Sequence, residues 1–443
     1  MGQGQLTVLG GGPAGMAVSY YALRNGLEPR MYEAGECFGG NSRTFQEQRF
    51  RFDSGAHRFH DKDPGVTRDL KELVGERLRR VDAGSQIYHD GKLIDFPLSP
   101  FNLLHKLGVP TFARATAQIL LSRRRERDFP NFEAFATQRY GEIISQSFLL
   151  NYSEKLWGIP CRRLAVSASG SRLRHLNLKA FLAEALLGNR AKTAHLESSR
   201  FYYPDQGIGM IVEAILRLLP HGSRVANARI TRAFHRDGQI AAVEINGKER
   251  TEIDRVVSTL PLDHFIGILD PPPPREILER AGRLRFRHLV LVALFLKRAS
   301  VSRSATLYFP ETGIPFTRVY EPRNRFPGMA PAGYTSLVAE IPCWKSDDVW
   351  AMGTQEARQM VVAPLQQAGF IDPSEIIAVS SRRLENAYPV LEAGLERDVA
   401  QLRDYLAGFR NLRLSGRNAR FEYVWLHNVF RSAKEIIREF VES

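Results

Sequence analysis

Cysteine is scarce in this 443-residue sequence. Its three cysteines, Cys37, Cys161 and Cys343, are widely spaced and form no C-x-x-C pair, so the sequence predicts neither a disulfide framework nor a zinc site. The G-x-S-x-G, Walker and H-E-x-x-H motifs are also absent, which leaves hydrolase, triphosphatase and zinc-protease chemistry without support. We expect a protein of the reducing cytoplasm that has no metal centre.

Long apolar runs are absent as well. The longest, residues 289–296, is about half the length that a bilayer-spanning helix requires. Residues 1–5 are uncharged, unlike the start of a signal peptide. We therefore expect a soluble protein, although the apolar residues 101–121, with the basic tail that follows, leave peripheral contact with a membrane surface open.

Positive charge is in excess. Lys and Arg number 61 against 48 Asp and Glu, a formal net charge of +13, which favours an anionic partner such as a phosphorylated substrate. The densest basic run, residues 123–127, lacks the interleaved aromatic residues of a nucleic-acid surface. We therefore interpret that run as a solvated helix end and expect no nucleic-acid partner.

Glycines near the N-terminus form a dinucleotide-binding pattern. Gly10, Gly12 and Gly15 form G-x-G-x-x-G between a β-prone run and a helical pattern, and Glu33 follows a second β-prone run. The glycines allow a tight turn and close backbone approach to a pyrophosphate at a helix N-terminus, and the carboxylate suits ribose hydroxyls. The sequence therefore predicts one βαβ unit that binds a dinucleotide.

The rest of the chain alternates between helical and strand-like stretches. Residues 64–195 have mostly helical spacing, whereas residues 224–261 contain three strand-like runs separated by Asp-Gly and Asn-Gly pairs, which are strong hairpin signals. Four consecutive prolines, 271–274, precede further strand-like runs that predict a second sheet. The fold class predicted is α/β with mixed α+β parts.

Three separated segments resemble one group of FAD-binding proteins. Gly39-Gly40 and Arg43 follow Glu33-Ala34, residues 254–261 form a strand ending in Thr-Leu-Pro, and Ser-Gly-Arg occurs at 415–417. In this order they resemble the group that includes protoporphyrinogen oxidase, the amine oxidases and UDP-galactopyranose mutase. The resemblance implies a Rossmann-like FAD-binding domain built from three discontinuous segments.

Five further strings resemble the mutase more than the oxidases. They are GAHRFH at 55–60, NYSEKLWG at 151–158, FTRVYE at 316–321, AYPV at 387–390, and Gly416-Arg417 followed by Tyr423. The resemblance implies an FAD-binding domain from residues 1–63, 200–262 and 382–443, a helical insertion at 64–199, and a substrate-binding β-sheet domain at 263–381.

The resemblance also implies the chemistry and the site. A mutase of this family uses reduced flavin as a nucleophile toward a nucleotide-diphosphate sugar, with no net redox change. The catalytic residues so implied are His57, Arg172, Arg318, Tyr388 and Tyr423. The substrate-binding residues are Trp157, Arg174 and Tyr203. The FAD-binding residues are Gly10, Gly12, Pro13, Ala14, Gly15, Glu33, Ala34, Gly39, Gly40, Asn41, Arg43, Gly55, Ala56, His57, Ile230, Gly416 and Arg417.

Some positions depart from the mutase pattern. Asp205 stands where bacterial mutases have a substrate-contacting tyrosine, and Trp425-Leu426 replaces an Asp-Met pair. A helical insertion of some twenty residues also separates Arg174 from Gln206. These departures keep open the alternative of a redox flavoenzyme of the protoporphyrinogen or amine oxidase type. A third alternative is a flavin-bound partner protein without turnover. The resemblance implies that Arg318 holds the substrate diphosphate. The alternative is that its side chain points outward and forms a salt bridge.

Overall fold

Strands and helices alternate along the whole described chain. The computed structural model describes residues 4–96, 104, 108–121, 128–169 and 200–442. The strands in these ranges are β1 Gln5–Leu9, β2 Glu28–Tyr32, β3 Thr44–Glu47, β4 Phe50–Asp53, β5 Leu78–Asp82, β6 Ser85–His89, β7 Lys92–Phe96, β8 Arg200–Pro204, β9 Arg224–Val225, β10 Ile230–Arg236, β11 Gln239–Ile245, β12 Glu249–Glu252, β13 Arg255–Ser258, β14 Leu269–Asp270, β15 Phe286–Leu296, β16 Thr306–Tyr308, β17 Arg318–Tyr320, β18 Thr335–Cys343, β19 Ile376–Pro389 and β20 Leu412–Leu414. The helices are α1 Pro13–Arg24, α2 Pro64–Val74, α3 Val109–Leu121, α4 Phe132–Ile144, α5 Asn151–Trp157, α6 Gly209–Leu218, α7 Leu262–Gly267, α8 Arg275–Ala281, α9 Asp348–Ala351, α10 Thr354–Gln367, α11 Glu396–Ala407 and α12 Leu426–Glu442.

A five-stranded sheet in the order β20-β13-β1-β2-β9 joins three distant parts of the chain. All of its strand pairs are parallel. Leu6 and Val8 of β1 pack in one core with α1 and α12, whereas Leu9 packs in a second core with β10 and β11. Because both faces of the sheet are covered, β1 is buried from Leu6 to Leu9, as is typical of parallel sheets. This sheet confirms the predicted Rossmann-like fold assembled from separated segments.

The βαβ unit forms as predicted. Pro13 occupies the first turn of α1, where a missing N–H costs nothing, and Asn25 caps the C-terminus. Gly26 then turns the chain with a φ of +76°. The carboxyl ends of β1 and β2 therefore lie beside the N-terminus of α1.

The second sheet has seven strands in the order β19-β15-β18-β17-β16-β6-β7. Every residue of β15 is buried, because its alternate side chains enter two different cores on the two faces of the sheet. The sheet takes β6 and β7 from residues 85–96, within the range predicted to be mostly helical. The hairpin of these two strands turns at Asp90-Gly91, and both residues have positive φ. An Asp-Gly pair is a hairpin signal, and this one was present in the sequence.

The predicted hairpins of residues 224–261 are only partly as expected. The β10–β11 and β11–β12 pairs are antiparallel, and their turns have positive φ at Asp237-Gly238 and Asn246-Gly247, which confirms the turn prediction. The third run, β13, instead pairs in parallel with β1.

Within the described ranges, no helix is both long enough and apolar enough to cross a bilayer. The predicted domain boundaries stay a prediction.

Candidate active site

The glycine loop after β1 leaves an open approach to the N-terminus of α1. A Cβ atom on Gly15 would lie 1.9 Å from the carbonyl oxygen of Gly10, so α1 packs against this turn too closely for any side chain. A Cβ atom on Gly12, by contrast, would meet no atom within 4 Å. Pro13 and Ala14 follow as the first residues of α1. The loop therefore combines a tight turn with an open cradle at a helix N-terminus, which suits a pyrophosphate.

Glu33 lies where a ribose-binding carboxylate is expected. It follows β2, and its two carboxylate oxygens accept hydrogen bonds from the backbone N–H groups of Gly11 and Gly35, both at 2.8 Å. Its backbone also pairs with residues 225 and 228 of the second segment. Ala34 is exposed beside it, while Ile230 is buried at the start of β10. The carboxylate is thus fixed against the glycine loop.

The second glycine pair packs onto the first. Gly39 donates its N–H to the carbonyl oxygen of Gly11 at 2.7 Å. A Cβ atom on Gly40, whose φ is +48°, would lie 3.0 Å from the Cα atom of Gly12. Arg43 donates from Nε to the carbonyl of Gly40 at 3.1 Å. Asn41 is nearby and donates to the carbonyl of Glu385 at 3.3 Å.

The third segment reaches the same helix start. Gly416 has a φ of +94°, and a Cβ atom there would lie 2.5 Å from the Cβ atom of Ala14. A glycine is required at this position by conformation and by space. The three segments predicted from the sequence therefore meet at one groove, and the residues present in it fit an extended dinucleotide.

His57 lies on the loop after β4, between the groove and the seven-stranded sheet. The backbone N–H of Ala56 donates to Oε1 of Glu340 at 2.7 Å, and Ser54 Oγ lies 3.4 Å from His57 Nε2. Burial, reinforced by the positive charges of Arg318, Arg417 and Arg325, lowers the pKa of His57 to about 3. His57 is therefore a neutral hydrogen-bonding group at physiological pH rather than an acid.

Arg318 is buried inside the site rather than turned outward. It is 7% exposed, and it donates from Nε to Glu340 Oε2 at 2.6 Å and from Nη2 to the Tyr388 hydroxyl at 2.9 Å. Burial, the largest single effect, opposes the charged form, but Glu340 together with Tyr388, Tyr152 and Tyr308 outweighs it, and the pKa of Arg318 lies above its ordinary value. Arg318 is thus a permanent cation in a protected position.

Three aromatic side chains form a cluster beside Arg318. The Trp157 ring lies edge-on to the rings of Tyr388 and Tyr423, with centroids 5.9 and 5.4 Å away, and the two tyrosine rings lie 5.9 Å apart. The Arg417 guanidinium lies 5.3 Å from the ring centroid of Tyr388 and 5.1 Å from that of Tyr423. Burial raises the pKa of Tyr388. Four residues predicted from distant strings, Trp157, Tyr388, Arg417 and Tyr423, thus form one cluster.

Arg417 is anchored within this cluster by backbone groups. Its two Nη atoms donate to the carbonyl oxygens of Ala387 at 3.0 Å and Val424 at 2.9 Å. It therefore ties the segment after Gly416 to the end of β19. Its predicted contact with the cofactor stays a prediction.

A cleft opens beside the aromatic cluster. Among the residues that the structure describes, none that lines the cleft carries a charged side chain. The lining residues are Ile87, Phe96, Phe132, Phe148, Leu149, Tyr152, Ser153, Leu156, Trp157, Ala168, Ser169, Tyr308, Pro310 and Tyr423. An apolar lining is typical of small-molecule sites, and Trp157 and Tyr423 belong to both the cleft and the cluster.

Tyr203, another predicted substrate-binding residue, does not join this cluster. Tyr203 is 1% exposed and donates its hydroxyl to Asp53 Oδ2 at 2.6 Å. Asp53, which is itself fully buried, also accepts from Thr44 and from the backbone N–H of Ile208. Burial raises the pKa of Asp53. Tyr203 therefore satisfies a buried carboxylate, whereas Arg172 and Arg174 lie outside the described residues.

The positions that depart from the mutase pattern have partners of their own. Asp205 forms a salt bridge with Arg77 at 2.8 Å. The Trp425 ring lies 5.2 Å from the His60 ring, and Lys62 Nζ lies 4.8 Å from the Trp425 ring centroid. Leu426 begins α12.

Glu340 is the functional candidate that the sequence reasoning missed. It is fully buried on β18 and lies directly opposite Arg318 in the antiparallel pairing of β17 with β18. A single acidic residue within the mostly apolar stretch 335–343 was the available signal, because a buried carboxylate requires a partner.

In the part of the chain that the structure describes, one group of metal-ligating side chains lies together. The ligand atoms of His89, Asp90 and Glu311 lie within 4.8 Å of one another. However, the Lys155 ammonium donates to the carbonyl oxygen of Glu311 at 2.8 Å, and the Glu311 carboxylate accepts from the backbone of Asp90 at 2.7 Å. The group therefore has internal partners and a neighbouring positive charge.

Fold and site together define a flavin-binding α/β protein. The family described as flavin containing amine oxidoreductase matches residues 13–435, so the chain belongs to that family. Many solved structures are similar to it, among them three over nearly their whole length. Reduced UDP-galactopyranose mutase has a TM-score of 0.87 and 20% identity, with 99% of this chain and 96% of that chain covered.

The other two structures are of proteins named as oxidases. A protein assigned as a protoporphyrinogen oxidase of Exiguobacterium sp. 255-15 has a TM-score of 0.77 and 17% identity, with 100% and 99% covered. A redesigned putrescine oxidase has a TM-score of 0.71 and 15% identity, with 99% of each chain covered. The family match confirms the predicted superfamily, and these likenesses confirm the predicted fold.

Proposed function

We propose that the protein is an FAD-dependent enzyme of the UDP-galactopyranose mutase type. It acts on a nucleotide-diphosphate sugar with the flavin reduced, and with no net redox change. The observation that carries the proposal is Arg318, a buried cation held between the loop of His57 and the aromatic cluster of Trp157, Tyr388 and Tyr423. A fixed guanidinium in a protected site is the group that a departing diphosphate requires.

The groove residues divide the binding of the cofactor between them. The open cradle at Gly12 and the N-terminus of α1 hold the pyrophosphate, and Glu33 holds the ribose hydroxyls. Gly40 and Gly416 let the second and third segments approach the same helix start. When bound and reduced, FAD supplies the nucleophile for the anomeric carbon of the sugar.

The chain's own residues orient the substrate and stabilise charge. Arg318 donates hydrogen bonds to the diphosphate, and the Tyr388 hydroxyl, already bonded to Arg318, orients that guanidinium. His57, neutral because its pKa is lowered to about 3, adds a hydrogen bond without adding a positive charge. Trp157 and Tyr423 shield the reacting atoms from water, which strengthens these electrostatic interactions.

A second candidate is a true FAD-dependent oxidoreductase. The observation that favours it is the cleft beside Trp157 and Tyr423, whose described lining residues are uncharged. Such a cleft suits an apolar substrate from which the flavin would accept a hydride.

A redox-controlled titration separates the two. Purified protein with its flavin first oxidised and then reduced by dithionite is titrated with UDP and UDP-hexoses. We expect binding of UDP and formation of an isomeric sugar only after reduction. Oxygen consumption with an alcohol or amine substrate, and no isomeric product, would instead establish the oxidoreductase.

Variants of Arg318 test the clamp itself. Arg318→Ala removes the cation, and Arg318→Lys keeps a charge opposite Glu340 so that the buried carboxylate retains a partner. We expect both to lose UDP affinity by about tenfold or more while flavin content stays normal. Arg383→Ala is the matched control, because Arg383 also projects from the seven-stranded sheet but donates to the carbonyls of Trp350 and Met352.

A further inference from the structure

Glu340 joins two parts of the site through its two carboxylate oxygens. Oε1 accepts the backbone N–H of Ala56 at 2.7 Å, and Oε2 accepts Nε of Arg318 at 2.6 Å. The side chain is fully buried, so neither bond is replaced by water. One carboxylate therefore fixes both the loop that carries His57 and the guanidinium of the clamp.

Glu340 also sets the charge of the site. Arg318 and Arg417 contribute two positive charges close to His57 and Tyr388, and Glu340 is the negative charge hydrogen-bonded directly to Arg318. His57 itself is neutral. In a protected, low-dielectric environment an added or removed charge acts strongly on neighbouring anions and on a redox group.

We propose that Glu340 is a positioning residue that holds Arg318 for the diphosphate and, by partly neutralising it, moderates both anion affinity and the reduction potential of the flavin. This proposal rests on the proposed function. A diphosphate held too tightly leaves slowly, so the partial neutralisation favours turnover over binding.

Glu340→Gln tests this in the flavin-loaded protein. The amide keeps an oxygen for Ala56 and nearly the same volume but removes the charge. We expect the midpoint potential of the bound flavin to become more positive, pyrophosphate and UDP to bind about tenfold more tightly, and kcat to fall. A structural role alone would not move the potential or tighten anion binding.

Glu321→Gln is the matched control. Glu321 is 1% exposed and also joins the β17–β18 region, but it accepts from the backbone N–H groups of Val301 and Ser302 and from Thr335. We expect this variant to keep the wild-type potential and anion affinity. Equal shifts in both variants would overturn the proposal.

A third variant covers the case in which Glu340→Gln does not hold flavin. Glu340→Asp keeps the charge but is one methylene too short to reach both partners, so it should retain a potential near wild type while kcat falls. Wild-type kcat in Glu340→Asp, or an unchanged potential in a loaded Glu340→Gln, would overturn the proposal. If the wild type binds neither UDP nor pyrophosphate, the proposed function fails, and the potential measurement still decides the role of Glu340.

Discussion

Two alanine substitutions in the glycine loop should have different effects on folding and on cofactor binding. In Gly15→Ala the new Cβ atom would lie 1.9 Å from the carbonyl oxygen of Gly10, whereas ordinary contacts begin at 3.4 Å. Helix α1 would have to move by about 1.5 Å, at a cost of about 1–3 kcal/mol in folding free energy. We therefore expect Gly15→Ala to destabilise the flavin-free protein.

Gly12→Ala should leave the flavin-free protein nearly as stable as the wild type. Its Cβ atom meets nothing within 4 Å, and the poorer helix cap costs at most about 1.5 kcal/mol. The same atom would project into the cradle assigned to the pyrophosphate, so we expect flavin affinity to fall by about tenfold or more.

The assay is urea unfolding of the flavin-free protein, together with flavin content by visible absorbance and flavin affinity by titration. Gly267→Ala is the control, because that residue also has no neighbour within 4 Å of a Cβ atom and lies at the end of α7. Full flavin affinity in Gly12→Ala would refute the placement of the pyrophosphate.

Three other predictions concern stability and assembly of the site. Tyr203→Phe removes a hydrogen bond from the buried Asp53 and should lower the free energy of unfolding by about 1–3 kcal/mol; an unchanged Tm with an altered KM would instead support its predicted contact with substrate. Burial lowers the pKa of His57 and of His60 to about 3. The unfolded chain therefore takes up protons below about pH 6.5 that the folded chain does not. Stability should fall as the pH drops from 6.5 toward 3, and the loss should be smaller in His60→Gln by urea unfolding at several pH values; equal losses would contradict this. Gly416→Ala, strained by its positive φ and by contact with α1, should lower both Tm and flavin content, and a normally loaded variant would contradict the meeting of the three segments.

Features encoded in short stretches of sequence were predictable. The loop of Gly10, Gly12 and Gly15 requires glycine for local reasons, and the turns at Asp237-Gly238 and Asn246-Gly247 need positive φ. Each of these signals depends on backbone conformation within a few residues. The order of strand, turn and helix was therefore correct at the N-terminus.

Features that depend on strand register were not predictable from composition or spacing. Arg318 and Glu340 are 22 residues apart and meet only because β17 and β18 pair in one register. Tyr203 likewise meets Asp53 across 150 residues. The resemblance to the mutase brought Arg318 to attention, but it did not indicate which group neutralises it.

The long range predicted as helical shows the same limit. Residues 85–96 form the β6–β7 hairpin, whose edge joins β16 in the seven-stranded sheet. The polar residues of β6 and β7 mask an alternating pattern, and burial against a distant strand decides the structure. Local propensity alone could not assign these strands.

The central claim is tested most directly by a crystal structure of the reduced, flavin-loaded protein with UDP. We predict the pyrophosphate of FAD against Gly12 at the N-terminus of α1, the flavin ring beside His57, and the UDP diphosphate in hydrogen-bonding contact with Arg318. A dinucleotide bound elsewhere, or UDP bound with Arg318 still contacting only Glu340 and Tyr388, would contradict it.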